Sequence, residues 1–260
     1  MSASGLSAHR GALLHFLSDP GEHDDAAAYE YFDDGLLLIE DGRIAAIGPA
    51  SALLAQLPAG IAITAHADSL LMPGFIDTHI HVPQTDMIAS GGRQLLDWLN
   101  DYTFPTEARF ADYAHGRDVA EFFLDELMRN GTTTAQVFGS VHKASIDSFF
   151  DAARTRSLRM IAGKALMDRN CPEIVRDTAE SGERDTRELI ERWHGVDRLS
   201  YAITPRFAPT STEQQLESAG RLARDYPTIQ AVILLFSFVY VLINLGIDLA
   251  YSLFDPRIRY

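Results

Sequence analysis

Apolar and polar positions along the chain follow two different rhythms. Up to residue 70 the apolar runs are short and set apart by turn residues. Gly35–Glu40 is followed by Asp41-Gly42, then by Arg43–Ile47, and Gly48-Pro49 ends the second run. Asp-Gly between two apolar runs predicts a β-hairpin, because Gly tolerates the positive φ of a tight turn. Ser51–Leu57 predicts a short helix. From residue 72 strands and helices alternate. Phe75–Val82 reads as a strand after the Pro73-Gly74 break. Glu107–Arg129 predicts a helix with Val119, Phe122, Phe123 and Leu127 on one face and Asn130-Gly131 as its stop. Thr132–Phe138 is β-branched and predicts a strand. A helix over Ser145–Arg156, a strand over Leu158–Leu166, a helix over Glu183–Trp193 and a strand over Leu199–Thr204 follow. The last helix is expected over Thr212–Arg224 with Ser211 as its cap.

Such repetition predicts a parallel α/β domain. A fifth strand is due after Pro227. In its place Tyr226–Ile247 carries no charge, and Ala231–Ile243 is almost wholly apolar. That length approaches the ~20 residues a helix needs to cross a bilayer. The expected organisation is therefore a β-rich segment over 1–70, a partial α/β domain over 71–228 and a transmembrane-like helix within 229–260. The competing reading of the tail is a buried fifth strand, Ala231–Phe236, followed by an apolar helix.

Composition narrows the function. Lys and Arg number 22 against 36 Asp and Glu, a net charge of −14. Nonspecific nucleic-acid binding, which needs cations to neutralise phosphates, is not expected. A small purine or a cationic metabolite remains compatible. Cys171 is the single cysteine, which excludes an intrachain disulfide and a cysteine-rich zinc site and suits a reducing compartment. Met1–Arg10 is small and polar, and Leu13–Leu17 is short and interrupted by His15, so no signal peptide is read and a cytoplasmic location is expected.

The sharpest motif is Pro73-Gly74-Phe75-Ile76-Asp77-Thr78-His79-Ile80-His81. Side chains at i and i+2 of a strand share a face, so Asp77, His79 and His81 are expected to point the same way. Two imidazoles so placed can grip one divalent metal, with Asp77 orienting a ring from behind. The plainer alternative is a pair of ordinary histidines. Trp98, His115 and His142 read as structural. Cys171-Pro172 does not form the Pro-Cys-x-x-Cys of the cytidine-deaminase zinc site.

These residues resemble the first barrel strand of the metal-dependent amidohydrolases. The resemblance narrows to the bacterial guanine deaminase family through His81-Val82-Pro83-Gln84, Leu95-Leu96-Asp97-Trp98-Leu99-Asn100, Tyr102-Thr103-Phe104-Pro105-Thr106-Glu107, Asn130-Gly131-Thr132-Thr133-Thr134 and Thr204-Pro205-Arg206-Phe207. It runs from about residue 10 to Pro227. It implies a TIM-like barrel, of which this chain supplies the first half, preceded by part of a β-sandwich. It also implies Zn²⁺ held by His79 and His81, and hydrolysis of guanine to xanthine and ammonia. His81, Val82, Pro83, Gln84, Arg206 and Phe207 would hold the purine. Plainer readings stand beside these. Gln84 can be a polar loop residue, Arg206 the partner of an acid, and Phe207 part of a core.

The family also uses a His-x-x-Glu on its fifth strand, a further histidine and an Asp. No histidine follows His194, so the zinc ligand set is incomplete, no catalytic proton shuttle is retained, and the chain by itself is expected to be inactive. Residues 244–260, ending Asp255-Pro256-Arg257-Ile258-Arg259-Tyr260, resemble the end of a dipeptide/oligopeptide ABC-transporter permease. That resemblance implies a chimera whose 231–254 segment enters a lipid bilayer and anchors the deaminase part to the inner membrane, a non-catalytic alternative. The open edge of a half-barrel would favour homo-oligomers.

Overall fold

A computed structural model describes residues 5–21, 25–91 and 94–229. The chain divides into two compact units, one ending at Gly74 and one beginning at Phe75.

The first unit is a four-stranded sheet in the order β3-β2-β1-β4, built from β1 (Leu6–Phe16), β2 (Tyr29–Glu40), β3 (Arg43–Pro49) and β4 (Ile63–Leu71). β2 is antiparallel to both β1 and β3, while β4 runs parallel to β1. The predicted hairpin joins β2 to β3. Asp41 and Gly42 both take positive φ, 49° and 74°, and such a turn matches the twist of the flanking strands. β2 begins before the apolar run because its polar first half pairs with β1 from Phe16 back to Leu13. Ala8, Leu36, Leu38 and Ala50 form this unit's core. The short helix is α1 (Ala50–Leu53), tightening into a 3₁₀ turn over Leu54–Gln56 rather than running on to Leu57.

The second unit is α/β. Its strands are β5 (Phe75–His81), β6 (Thr132–Phe138), β7 (Arg159–Gly163), β8 (Ala165–Leu166), β9 (Ser200–Tyr201) and β10 (Thr204–Pro205). Four of them form a parallel sheet in the order β5-β6-β7-β9, and β8 pairs with β10 separately. The short helices α2 (Leu95–Trp98) and α3 (Phe104–Ala108) follow β5. The long ones are α4 (Tyr113–Arg129), α5 (Lys143–Thr155), α6 (Ala179–Trp193) and α7 (Glu213–Asp225). Each long helix follows a strand and packs back on the sheet, the crossover that parallel strands require. Val137, Phe149, Phe150, Leu189, Ile190 and Leu222 meet in one core. Each such side chain contributes about 1.5–3 kcal/mol through burial.

Several sequence expectations are corrected here. The helix expected from Glu107 is broken, because Asp112 leaves helical geometry and accepts the Ala114 N–H on its side chain, starting α4 afresh. On α4 the buried positions are Gly116, Val119, Ala120, Phe123 and Leu124. Phe122 lies on the flank of that stripe and is 57% exposed. The helix expected from Glu183 begins four residues earlier, where Thr178 and Ser181 form a reciprocal capping box. Thr212, not Ser211, caps α7 by accepting the Gln215 N–H.

The strands expected over Leu158–Leu166 and Leu199–Thr204 are each split. Lys164 interrupts the first. Its N–H donates to the Tyr201 hydroxyl (3.2 Å), and its carbonyl accepts from Thr204 Oγ1 (2.6 Å), so side chains replace the ladder there. The Lys164 ammonium is fully buried and bonds the Asp177 carboxylate.

Among the described residues, no helix is long and apolar enough to cross a membrane. The apolar segment 231–254 lies outside them. So do the expected fifth position of the sheet, the permease-like end and the membrane contact.

Candidate active site

β5 ends at His81, and a 3₁₀ helix over Val82–Met87 then turns the chain. The two imidazoles converge as the i, i+2 spacing predicts, with His79 Nε2 and His81 Nε2 3.3 Å apart. Register explains what supports them. His81 lies opposite Phe138, the last residue of β6. The Phe138 ring stacks on His81 at 4.8 Å between centroids with a 15° tilt, and meets His79 at 5.1 Å. Burial, then the Arg206 charge, then His79 hold the His81 imidazole down to about pKa 3. Its ring is therefore neutral at physiological pH and keeps a lone pair for a metal.

The β5–β6 register shifts between Asp77 and Ile80, and a bulge re-aims the side chains around it. Asp77 Oδ1 accepts the backbone N–H of His79 at 3.0 Å. The carboxylate thus braces the strand carrying the histidines.

Gln84 and Arg206 are brought together by a residue that sequence reading passed over. Glu107, on α3, is fully buried. Both its oxygens accept from Arg206 Nη1, at 2.7 and 2.6 Å, and the Gln84 amide also acts on its carboxyl. Burial pushes the Glu107 carboxyl up, and Arg206 and Gln84 oppose that shift. Arg206 also stands over the Phe104 ring, 5.7 Å from its centroid. The plainer reading of Arg206, as the partner of an acid, therefore describes part of what it does. Phe207 follows β10 with 40% of its surface exposed, so it is not a core residue. Val82 packs in the core at 1% exposure and Pro83 is buried. These two set the course of the chain after β5.

A cleft of about 390 Å³ is lined by His79, His81, Gln84, Met87, Trp98 and neighbouring residues. Trp98 lines this cleft, and its indole N–H donates to the Ser90 carbonyl at 2.9 Å. His115 is near Asp86 (3.7 Å) and packs its ring edge on Phe110. His142 precedes α5 and lines a different cleft. Glu107 and Phe138 carried one signal each, an acid inside a matched block and an aromatic closing a β-branched strand. Neither signal specifies a role.

The donor pair fits a zinc-type metal. Nitrogens held at ~2.0–2.1 Å in tetrahedral geometry stand about 3.3–3.4 Å apart, the separation observed. The buried Nδ1 of His81 has no partner among the described residues. Among those residues there is no cluster of three or more metal-ligating side chains.

Comparison with known proteins agrees with this geometry. An imidazolonepropionase-like composite domain model of bacteria matches residues 37–59. A guanine deaminase of Escherichia coli (strain K12) is 50% identical over 225 residues, which are 85% of this chain and 51% of that protein. The solved E. coli guanine deaminase superposes with a TM-score of 0.82 at 47% identity, again over 85% and 51% of the two chains. A guanine deaminase from C. acetobutylicum with bound guanine in its active site gives 0.75 at 27% identity, over 85% and 51%. The chain thus spans about half the length of the relatives it matches. The amidohydrolase family model matches residues 70–233, more than half of the chain, and with the paired histidines at the end of its first parallel strand the protein belongs to the amidohydrolase family.

Proposed function

We propose that this chain carries the amino-terminal half of a zinc-dependent guanine deaminase site, which converts guanine and water to xanthine and ammonia. One observation carries the reading: His79 and His81 present ring nitrogens 3.3 Å apart in a cleft that Gln84 also lines. Similar proteins named guanine deaminase, one with bound guanine, support the choice of substrate. His79 and His81 would hold the zinc, which when bound would supply Lewis-acid activation of water. The chain's own residues bind and orient the purine. Gln84 offers an amide donor and acceptor to its polar edge. Arg206, fixed by Glu107, offers the N–H fork that suits the O6/N7 acceptor pair. Phe207 adds an aromatic face, and Val82 and Pro83 hold Gln84 in line with His81. Residues 1–70 belong to the sandwich and 71–228 to the barrel.

The chain contains no His-x-x-Glu, so the departing amine lacks the proton donor that the resemblance implies. Zinc and guanine binding without turnover are the expected behaviour of the chain alone. Calorimetry with zinc and then guanine, alongside xanthine formation by absorbance, tests this. A zinc stoichiometry that falls by one ion per chain in His79→Ala supports the site, and an unchanged stoichiometry overturns it. Turnover near ordinary rates of ~10 s⁻¹ would overturn the inactive state while leaving the site standing.

A second reading concerns the tail. The uncharged run from Tyr226 to Ile247 favours membrane anchoring of an otherwise cytoplasmic chain, with self-association through the sheet edge. Carbonate extraction tests anchoring, and release into the soluble fraction counts against it.

A further inference from the structure

A second histidine pair lies in the first unit, on residues that the proposed deaminase site does not use. His9 on β1 and His66 on β4 approach with His9 Nδ1 3.2 Å from His66 Nε2. Their rings stack at 5.4 Å between centroids. Both side chains are half-buried.

The approach follows from the backbone. His66 pairs in register with Gly11, two residues beyond His9 on the parallel neighbour. His9 and position 11 share a face of β1. A Cβ at Gly11 would stand 2.8 Å from the His66 carbonyl oxygen and 3.2 Å from its Cβ. The missing side chain leaves the room in which His66 lies against the strand and reaches His9. Ala8, next to His9 in sequence, points the other way into the core.

We propose that His9 and His66 form a second divalent-metal site, selective for ions that favour imidazole nitrogen, such as zinc or copper. Their nitrogens stand within about 0.2 Å of the spacing that tetrahedral zinc imposes on two ligands. Imidazole suits Zn²⁺ and Cu²⁺, whereas Ca²⁺ and Mg²⁺ require oxygen. Half-buried rings leave the remaining coordination positions to water. In the metal-free chain the two rings contact each other through these nitrogens, and a bound ion replaces that contact. The ion cross-links the first and last strands of the unit in sequence, neighbours in the sheet, so its binding also stabilises the sheet by mass action.

The test uses the full chain carrying His79→Ala and His81→Ala, which removes the other pair. Calorimetric titration with Zn²⁺ and with Cu²⁺ is expected to show one ion per chain. Adding His66→Ala should weaken that binding at least tenfold, while adding His15→Ala, whose ring pairs with Glu30, should leave it unchanged. Circular dichroism verifies folding of each variant. In the first variant, substoichiometric Cu²⁺ should also broaden the His9 and His66 ring resonances, a readout that leaves both histidines in place. No binding in the first variant, binding that survives His66→Ala, or broadening that spares these two rings would each overturn the site.

Discussion

Glu107 and Arg206 form a bidentate ion pair with the carboxylate fully buried, its oxygens 2.7 and 2.6 Å from a single guanidinium nitrogen. α3 is thereby fastened to the loop after β10. Removing one partner leaves the other charge buried without compensation, which costs about 3–5 kcal/mol. Glu107→Ala is therefore expected to lower stability by that amount in denaturant unfolding. The double variant Glu107→Met with Arg206→Met should be less destabilised than Glu107→Ala alone. Equal losses in both would mean that the unpaired Arg206 charge carries no penalty of its own.

The Phe138 ring packs on both candidate metal-binding imidazoles. Phe138→Leu keeps an apolar side chain but removes the flat surface that fixes the rings. Zinc affinity, read with a competing chromophoric chelator, should fall several-fold without loss of fold. Unchanged affinity would show that the β5 backbone alone orients the histidines.

Glu183 joins α6 to α7 by accepting from Arg221 at 2.7 Å and from Arg187 at 2.9 Å. The Arg221 hydrogen bond, with Arg187 and Ser218, holds its carboxyl down to about 2, from an ordinary value of 4.5. A carboxylate depressed in the folded state stabilises above its unfolded pKa and loses that contribution as pH falls through the folded one. Glu183→Gln should therefore melt a few degrees below the parent at pH 7. The gap should close between about pH 4.5 and pH 2. A gap of constant size across that range would contradict the assignment.

Thr178 and Ser181 cap α6 reciprocally. Thr178→Ala removes the acceptor for the Ser181 N–H and should cost about 0.5–2 kcal/mol. Thr178→Asp should restore most of it, since Asp also caps and suits the positive end of the helix. Chemical denaturation of the two variants gives the comparison directly.

The βα order, the Asp41-Gly42 hairpin and the converging histidines were all legible in the sequence. Each depends on local periodicity or on a turn that only certain residues adopt. The bulge after Asp77 was not legible, because it arises from pairing with β6. Nor was the break at Lys164, where hydroxyls of Tyr201 and Thr204, distant in sequence, take over its backbone groups. Glu107 escaped for the same reason. An acid in a short helix looks like any solvated acid until Arg206, beyond three further long helices, closes on it.

The placement of His81 opposite Phe138 bears on how the protein folds. The two residues are separated in sequence by the whole of α4, and parallel strands pair only after such a crossover has closed. Local contacts form quickly, whereas pairing across a long loop must first overcome its closure entropy. The hairpin of the first unit can therefore form early, within microseconds for an isolated hairpin. The histidine pair gains its aromatic support only once α4 has docked and β6 lies beside β5. During synthesis, β5 leaves the ribosome well before its neighbour exists, and in that interval its histidines are borne on an unpaired segment, open to whatever metal or chaperone reaches them first.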